Sequence, residues 1–455
     1  MLSLPSTDRV VSWADENLRP FGLVAAVLGG VTFYLALLAW AWQHTSYDVW
    51  GAVLIAPLLI GMAYPVARFA AHQEQDETMV RLVIGALVLK LFMTIVRYVV
   101  AFGVYGTADS KIYHRYGTEL AAQFRGGDFD TNGAALSGTG FIKVFTGIVY
   151  TLTGPTMIGG YLVYAFLGFW GLYFFYRAFR IAVPDGDHRR YARLVFLLPS
   201  MLYWPSSIGK DAWMCLWLGV AALGAAKALA GQRGAFPIMA LGITGCAFVR
   251  PHVALLFFLG ISVAYLVRPG HRRSLLGPFA KVFGIVALLV SGFLLLSQVE
   301  SYFAVDDLSE GGTTQALDIA TDRSGKGGSQ FQSVTPTSPT TYAYAVLTVL
   351  YRPLPNEAGN FQGLLASAEA TLMLVLTVLA VPRIGQLLLN LRRWSYGTLA
   401  LFYTLFFCYA FASISNFGIL TRQRVQVLPF LLVLICLPRR PSVVPTEVEA
   451  AHAHR

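Results

Sequence analysis

Long apolar runs separated by short polar segments dominate the chain. A spanning helix needs about 20 mostly apolar residues, whose backbone groups bond within the segment. Eight runs meet this requirement, at residues 21–42, 50–69, 80–104, 156–176, 212–230, 279–296, 363–381 and 395–411. Four shorter runs, at residues 192–205, 235–249, 252–267 and 425–437, predict broken, tilted or re-entrant spans. We therefore predict an all-α polytopic transmembrane bundle of about 12 spans, with a range of roughly 10 to 13.

The composition agrees with one integral membrane domain over residues 1–455. Hydrophobic residues make up 56% of the chain and charged residues only 13%, whereas soluble proteins carry about 25% charged residues. Residues 1–20 carry three acidic side chains and lack the basic start of a cleavable signal peptide. They predict a short cytoplasmic amphipathic lead-in. The four cysteines all fall inside apolar runs without metal-binding spacing, which indicates small buried side chains.

Lysine and arginine are distributed unevenly between the loops. With the N-terminus inside, most of the 34 basic residues lie on one side of the bundle, and the positive-inside rule makes that side the cytoplasm. We predict a multi-pass membrane protein with both termini cytoplasmic, including a tail at residues 439–455. The same bias explains the net charge of +10, so the lipid bilayer is the expected partner and no nucleic acid is.

Two long loops then lie outside, at residues 105–155 and 300–362. Loops longer than about 12 to 15 residues usually carry function, so we predict that the first exterior loop is catalytic. The second loop begins with an acidic stretch rich in Ser, Thr and Gly, which predicts mobility. It turns apolar at residues 342–351, and this part predicts an interfacial or re-entrant helix that delivers Arg352 to the membrane surface.

A charged cluster begins the first exterior loop, where the third span ends. The segment GTADSKIYHRYGTELAAQF contains Asp109, Lys111, His114 and Arg115. The neighbouring cations should keep Asp109 ionised, and an ionised carboxylate can accept a proton from a hydroxyl as a general base. Alternatively, Asp109 is the N-cap of the helix that follows, since Asp is a preferred residue there. The sequence leaves both interpretations open.

Two further carboxylates, Asp128 and Asp130, follow in the segment GGDFD. One of them could orient a sugar hydroxyl, but a Gly-Asp turn is the commoner reason for this pattern. Together with Asp109, either could also hold one divalent cation. The sequence requires no metal, and no cofactor is certain.

Five cations at the exterior ends of spans form the second candidate group. The planar guanidinium of arginine binds phosphate oxygens in pairs, so several such side chains predict an anion site walled by helices. Anchoring of single side chains at the membrane surface is the alternative. Asp211 and His252 lie beside two of these cations, and Lys90, Arg97 and Glu369 lie within apolar spans. The five cations are Lys210, Arg250, Arg352, Arg422 and Arg424.

Several segments resemble a family of membrane enzymes. The acidic residue at the start of an exterior loop, followed by the stretch from Tyr113 to Phe129, is similar to the multi-span GT-C superfamily of glycosyltransferases. The segments WPSSIGKD, RPLPNE (which contains Glu357) and TRQRVQVLPF resemble bacterial envelope-polysaccharide membrane proteins of that kind. This resemblance implies a location in the bacterial cytoplasmic membrane, a sugar donor on a polyprenyl phosphate, a glycan or lipid acceptor, and Asp109 as the catalytic residue.

The predicted substrate-binding residues combine the loop cluster with the exterior cations and their neighbours. They are Lys111, Tyr113, Arg115, Asp128, Lys210, Asp211, Arg250, His252, Arg352, Glu357, Arg422 and Arg424. The chain departs from the family because two spans precede the loop, and because Asp-Ser replaces the common pair of acidic residues. Three alternatives remain: a polymerase or ligase that relies on the exterior arginines, a transporter of lipid-linked glycans, and a non-catalytic assembly partner.

Overall fold

The computed structural model describes residues 7–74, 76–106, 108–268, 290, 292–293 and 329–439. The regular elements in these residues are helices, and one isolated antiparallel bridge joins Gln330 to Asn416. The all-α prediction is therefore confirmed. Apart from residues 290 and 292–293, the predicted span at residues 279–296 lies outside the described residues, as do residues 300–328 of the second loop and nearly all of the C-terminal tail.

Sixteen helices follow one another in the described part of the chain. They are α1 Thr7–His44, α2 Tyr47–Glu74, α3 Thr78–Val99, α4 Asp109–Arg125, α5 Gly138–Thr153, α6 Met157–Ala182, α7 His188–Leu197, α8 Pro199–Tyr203, α9 Lys210–Leu229, α10 Ala235–Ala247, α11 Pro251–Val267, α12 Pro339–Tyr351, α13 Phe361–Leu389, α14 Ser395–Phe411, α15 Phe417–Arg424 and α16 Leu428–Cys436. A π-helical turn at Val100–Val104 extends α3.

Five of the described helices are long and apolar enough to cross a membrane: α2, α3 with its π-helical turn, α6, α9 and α13. The bent pair α15 and α16 makes a sixth candidate, with an angle of 57° between the two helices. The apolar helices α10, α11 and α14 are shorter. At about 1.5 Å per residue, a helix as short as α10 cannot cover a hydrocarbon core of about 30 Å. The described residues therefore support five or six spans, fewer than the sequence predicts.

Helix α6 lies at the centre of the bundle, packed against α9, α2 and α3. Its contact with α9 depends on small residues. A Cβ atom on Gly171 would overlap the carbonyl of Cys215, and one on Gly219 would overlap the carbonyl of Gly171. Glycines that let two backbones approach in this way are typical of helix pairs in membranes. This close packing fixes the position of the N-terminal end of α9, which begins at Lys210.

The chain between α6 and α9 is a broken hairpin held by ionisable side chains. Leu198 and Pro199 separate α7 from α8 and leave backbone groups without a helical partner. Lys90 Nζ donates to the Met201 carbonyl at 2.9 Å, and Glu369 Oε2 accepts from the Ser200 amide at 2.7 Å. These two side chains therefore bind backbone groups at the break between α7 and α8. Glu369 makes this contact from another helix, α13.

The predicted orientation can be measured with two cysteine variants. Asp185→Cys lies in the turn between α6 and α7, and Asp128→Cys lies in the first exterior loop. We expect a membrane-impermeant maleimide to label position 128 but not position 185 in intact cells, because the positive-inside rule places them on opposite sides. The four native cysteines are buried, so the unmodified chain is the control for background labelling. Labelling of position 185 alone would reverse the predicted topology.

Candidate active site

Asp109 is the first residue of helix α4. Ala108 is the N-cap residue, with φ −157° and ψ 154°, so the interpretation of Asp109 as an N-cap is wrong. A carboxylate in the first helical turn is favourable because it faces the positive end of the helix dipole. The side chain is 67% exposed, and its Oδ2 atom accepts a hydrogen bond from Arg422 Nη1 at 3.2 Å. Asp109 therefore presents an accessible carboxylate that a single guanidinium orients.

Asp211 is the buried centre of the ionic network. It is the second residue of α9, and its side chain is 7% exposed. Its Oδ1 atom accepts from Arg250 Nη2 at 3.1 Å, and its Oδ2 atom accepts from Arg422 Nε. Arg422 consequently joins Asp211 to Asp109. Residues from α4, α9, α15 and the turn before α11 meet at this point.

The cationic cavity is a space of about 370 Å³ beside this network. Lys210, Arg250 and Arg422 line it together with Asp109 and Tyr113. Three cations against two carboxylates, Asp109 and Asp211, leave one positive charge in excess. Such an arrangement can hold an anion among several helices, which is the kind of site that the sequence predicts for these cations.

The guanidinium of Arg250 indicates where a ligand would bind. Arg250 is buried, at 6% exposure, and one of its terminal nitrogens, Nη2, is bonded to Asp211. The other terminal nitrogen, Nη1, has no hydrogen-bond partner among the described residues. A buried donor without a partner costs about 1 to 3 kcal/mol, and more for a charged group. Arg250 also lines the cationic cavity, so the guanidinium that carries this unpaired nitrogen borders the space where an oxyanion could bind.

Tyr113 adds a neutral donor to the same cavity. It is buried on α4, one turn after Asp109. Burial and the nearby Asp109 carboxylate raise the pKa of Tyr113, whereas Arg422 opposes this effect. The phenol therefore stays protonated at neutral pH and can donate a hydrogen bond to an anion.

Arg424 and Arg352 bind elsewhere, so three of the five predicted cations converge. Arg424 is buried and donates from Nε to the Val349 carbonyl at 2.9 Å and from Nη2 to the Arg352 carbonyl. It thus satisfies carbonyls at the C-terminal end of α12, as basic side chains commonly do. The predicted apolar segment lies in this helix, and Arg352 is its C-cap residue. Delivery of Arg352 to the membrane surface stays a prediction.

Arg352 holds Glu357 through hydrogen bonds from both Nε and Nη2, and Nη2 donates to Oε1. Arg352 Nε lies 2.9 Å from Glu357 Oε1 and 3.1 Å from Oε2, and hydrogen bonds from Arg352 lower the pKa of Glu357. The guanidinium also stacks over Phe331 and Phe417, at 4.8 and 5.2 Å from the ring centres. Glu357 lines the neighbouring cavity described below, whereas Arg352 holds the segment that carries it.

The other predicted residues lie outside the cationic cavity. Lys111 and Arg115 are exposed on α4, and Arg115 approaches the Tyr116 ring at 5.2 Å. Asp128 Oδ1 accepts a hydrogen bond from the Asp130 amide at 3.0 Å, as expected for a Gly-Asp turn. The described residues contain no cluster of three His, Cys, Asp or Glu side chains that could hold a metal.

His252 is the second residue of α11 and lies two residues after Arg250 in the chain. Its ring packs against Phe411 with a centroid distance of 5.9 Å. It lines neither the cationic cavity nor the larger cavity beside it. His252 therefore belongs to the packing behind Arg250.

A second space, the large cavity, lies on the other side of Asp109 and has a volume of about 790 Å³. Asp109, Ile419 and Arg422 line both cavities. The sequence had indicated none of the large cavity's aromatic and amide residues as site residues. These residues carry no charge that would single them out in the sequence. These residues include Tyr105, Tyr161, Trp204, Gln362, Asn416 and Phe417.

Comparison of the chain with models of protein families, with characterised proteins and with solved structures found no match. The resemblance to the GT-C superfamily stays a prediction. The function is therefore argued from the two cavities and the residues that they share.

Proposed function

We propose that this protein is a membrane glycosyltransferase that takes a sugar from a polyprenyl phosphate at the outer face of the bacterial cytoplasmic membrane. One observation carries the proposal. The buried Arg250 guanidinium has a nitrogen without a partner, and it lines a cationic cavity whose wall also includes the exposed carboxylate of Asp109. A phosphate oxygen would accept a hydrogen bond from Arg250, and Asp109 would lie beside the sugar that is transferred.

The reaction assigns one role to each side of Asp109. The oxygen of an acceptor hydroxyl attacks the anomeric carbon of the donor sugar, and the bond from that carbon to the phosphate oxygen breaks with its electron pair on the oxygen. Asp109 takes the proton of the attacking hydroxyl. The phosphate keeps the new negative charge and stays among Lys210, Arg250 and Arg422, where fixed cations stabilise the charge that develops in the transition state.

Arg422 has the central place in this scheme. Its guanidinium contacts Asp109 and Asp211 and lines both cavities. It can therefore hold the base in position while it faces the leaving phosphate. A bidentate group with this planar geometry is suited to that task, and a lysine at the same place would lose one of the two contacts.

The activity is tested with purified protein in nanodiscs and a panel of polyprenyl phosphates that carry single sugars, with an extract of bacterial envelope as the acceptor source. We expect at least one donor to release free polyprenyl phosphate, measured by mass spectrometry, together with a larger glycan. This measurement does not require the acceptor to be known. If no donor in the panel is consumed, the proposed function is wrong.

Arg250 is expected to bind the carrier phosphate directly. Arg250→Met should weaken the binding of polyprenyl phosphate by about 1.5 to 3 kcal/mol, the value of a charge-assisted hydrogen bond, which is roughly a 10-fold to 150-fold rise in Kd. Microscale thermophoresis in nanodiscs measures it. Arg115→Met, at an exposed position of α4 that lines neither cavity, is the matched control and should bind normally. Equal affinities of both variants would remove Arg250 from the phosphate site.

A further inference from the structure

We propose that the large cavity is the acceptor site and that it binds a neutral carbohydrate. The inference rests on the proposed function, because Asp109 must face the acceptor hydroxyl from the wall that the two cavities share. Three properties of the lining carry it: its carboxylates and Arg422 are already in ion pairs, its remaining groups include aromatic rings, amides and hydroxyls, and Asp109 lies in its wall.

The charged side chains of the large cavity have partners within the protein. Glu357 is held by Arg352, and Arg422 is held by the two carboxylates. The Arg97 guanidinium stacks over the rings of Tyr203 and Trp204 at 4.5 and 4.7 Å, and its Nη1 atom donates to the Tyr203 hydroxyl at 2.9 Å. Arg97 has no carboxylate partner and its Nε atom has no hydrogen-bond partner among the described residues, but two aromatic rings cover its guanidinium. Because the other charged groups are paired, the lining favours a neutral ligand.

The groups that remain match the two kinds of surface on a sugar ring. A sugar presents an apolar face of C–H groups and a rim of hydroxyls, each of which both donates and accepts hydrogen bonds. The exposed ring of Tyr105 offers an aromatic face for the former. Trp204 and Phe417 also line the cavity, but Arg97 and Arg352 already stack on their rings. Gln362 and Asn360 offer amides, which donate and accept as hydroxyls require. A lipid tail would instead need continuous apolar walls.

Tyr105 and Gln362 mark the accessible part of this lining. The Tyr105 hydroxyl donates to Gln362 Oε1 at 2.7 Å, so the amide nitrogen of Gln362, a lining residue, remains as a donor. Tyr105 is 49% exposed, so its replacement removes little packing. A volume of about 790 Å³ lies within the usual range for ligand sites, about 300 to 1,000 Å³.

The test uses the full chain in nanodiscs, without donor, on an array of neutral envelope oligosaccharides, acidic glycans, lipids and peptides. We expect binding to neutral oligosaccharides. Tyr105→Ala and Gln362→Ala should each raise the Kd for the best of them by at least about 10-fold. Tyr64→Ala, at an exposed tyrosine of α2 that lines neither cavity, should leave the Kd unchanged.

Other outcomes separate this inference from the proposed function. Binding restricted to acidic glycans, lipids or peptides overturns the inference, as does the absence of binding to the array. Equal Kd values for Tyr105→Ala and the Tyr64→Ala control also overturn it, because the ligand would then bind elsewhere. Release of polyprenyl phosphate in any of these cases shows that the proposed function survives without the carbohydrate site. Glycan binding without release shows the reverse.

Discussion

Asp109→Asn is expected to lower the rate of sugar transfer by about 10² to 10⁴-fold, because general-base assistance typically has this value. The amide has nearly the same shape but cannot take a proton from the acceptor hydroxyl. The fold should be preserved, since the side chain is 67% exposed and is not the N-cap of α4. The rate of release of polyprenyl phosphate at saturating donor measures the effect, and the thermal unfolding midpoint checks the fold.

The matched control for this prediction is Asp128→Asn. Asp128 is an exposed carboxylate of the same exterior loop, and it lies in a turn away from both cavities. Its replacement should leave turnover within about two-fold, as is usual for a surface position without a catalytic role. Full turnover in Asp109→Asn would show that the enzyme needs no carboxylate base. It would favour the polymerase or ligase alternative, in which the exterior arginines suffice.

The fold class follows from the sequence because backbone N–H and C=O groups in hydrocarbon must be paired within the protein. A helix pairs them within its own segment. The ends of α2, α6 and α13 extend beyond the predicted apolar runs by several residues, since a helix continues through polar residues at the membrane surface. The number of spans is less predictable. Apolar composition alone cannot show that α7 and α8 are separated at Pro199, or that Lys90 and Glu369 bind the backbone exposed there.

An anion site formed by cations such as Lys210, Arg250 and Arg422 was predictable, because several cations at the ends of apolar spans require an anionic partner. The sequence could not show which three of the five predicted cations line the cavity. Arg422 and Arg424 are two residues apart on α15, so they point in different directions on the helix. One reaches Asp211, and the other binds carbonyls at the end of α12. Sequence spacing shows that the two side chains point in different directions, but it does not show which of them faces the cavity.

The large cavity was not predictable for a different reason. Its lining comes from segments far apart in the chain, and its aromatic and amide residues are common in any membrane protein. Tyr105 and Gln362, for example, are bonded to one another across 257 positions of the sequence. Charged residues in apolar segments attract attention because their burial is costly, whereas neutral ones carry no such signal.

Asp211→Asn is expected to destabilise the protein by about 3 to 5 kcal/mol, the usual cost of removing one partner from a buried ion pair. Arg250 and Arg422 both donate to this carboxylate, which is 7% exposed. Without it, the cationic cavity holds three cations and the partly exposed Asp109. Thermal unfolding in detergent micelles measures the loss. Asp185→Asn, at an exposed position in the turn after α6, is the control and should unfold within a degree or two of the unmodified chain.

The same variant tests whether the destabilisation comes from uncompensated charge. A ligand that binds the folded state stabilises it by RT ln(1 + [L]/Kd), about 2.7 kcal/mol at a concentration of 100 Kd. Asp211→Asn raises the excess positive charge of the cationic cavity from one to two, so inorganic phosphate should raise its unfolding midpoint more than that of the unmodified chain. An equal response of both proteins to phosphate would contradict this explanation. The loss would then come from packing around α9, and Asp211 would contribute shape rather than charge to the anion site.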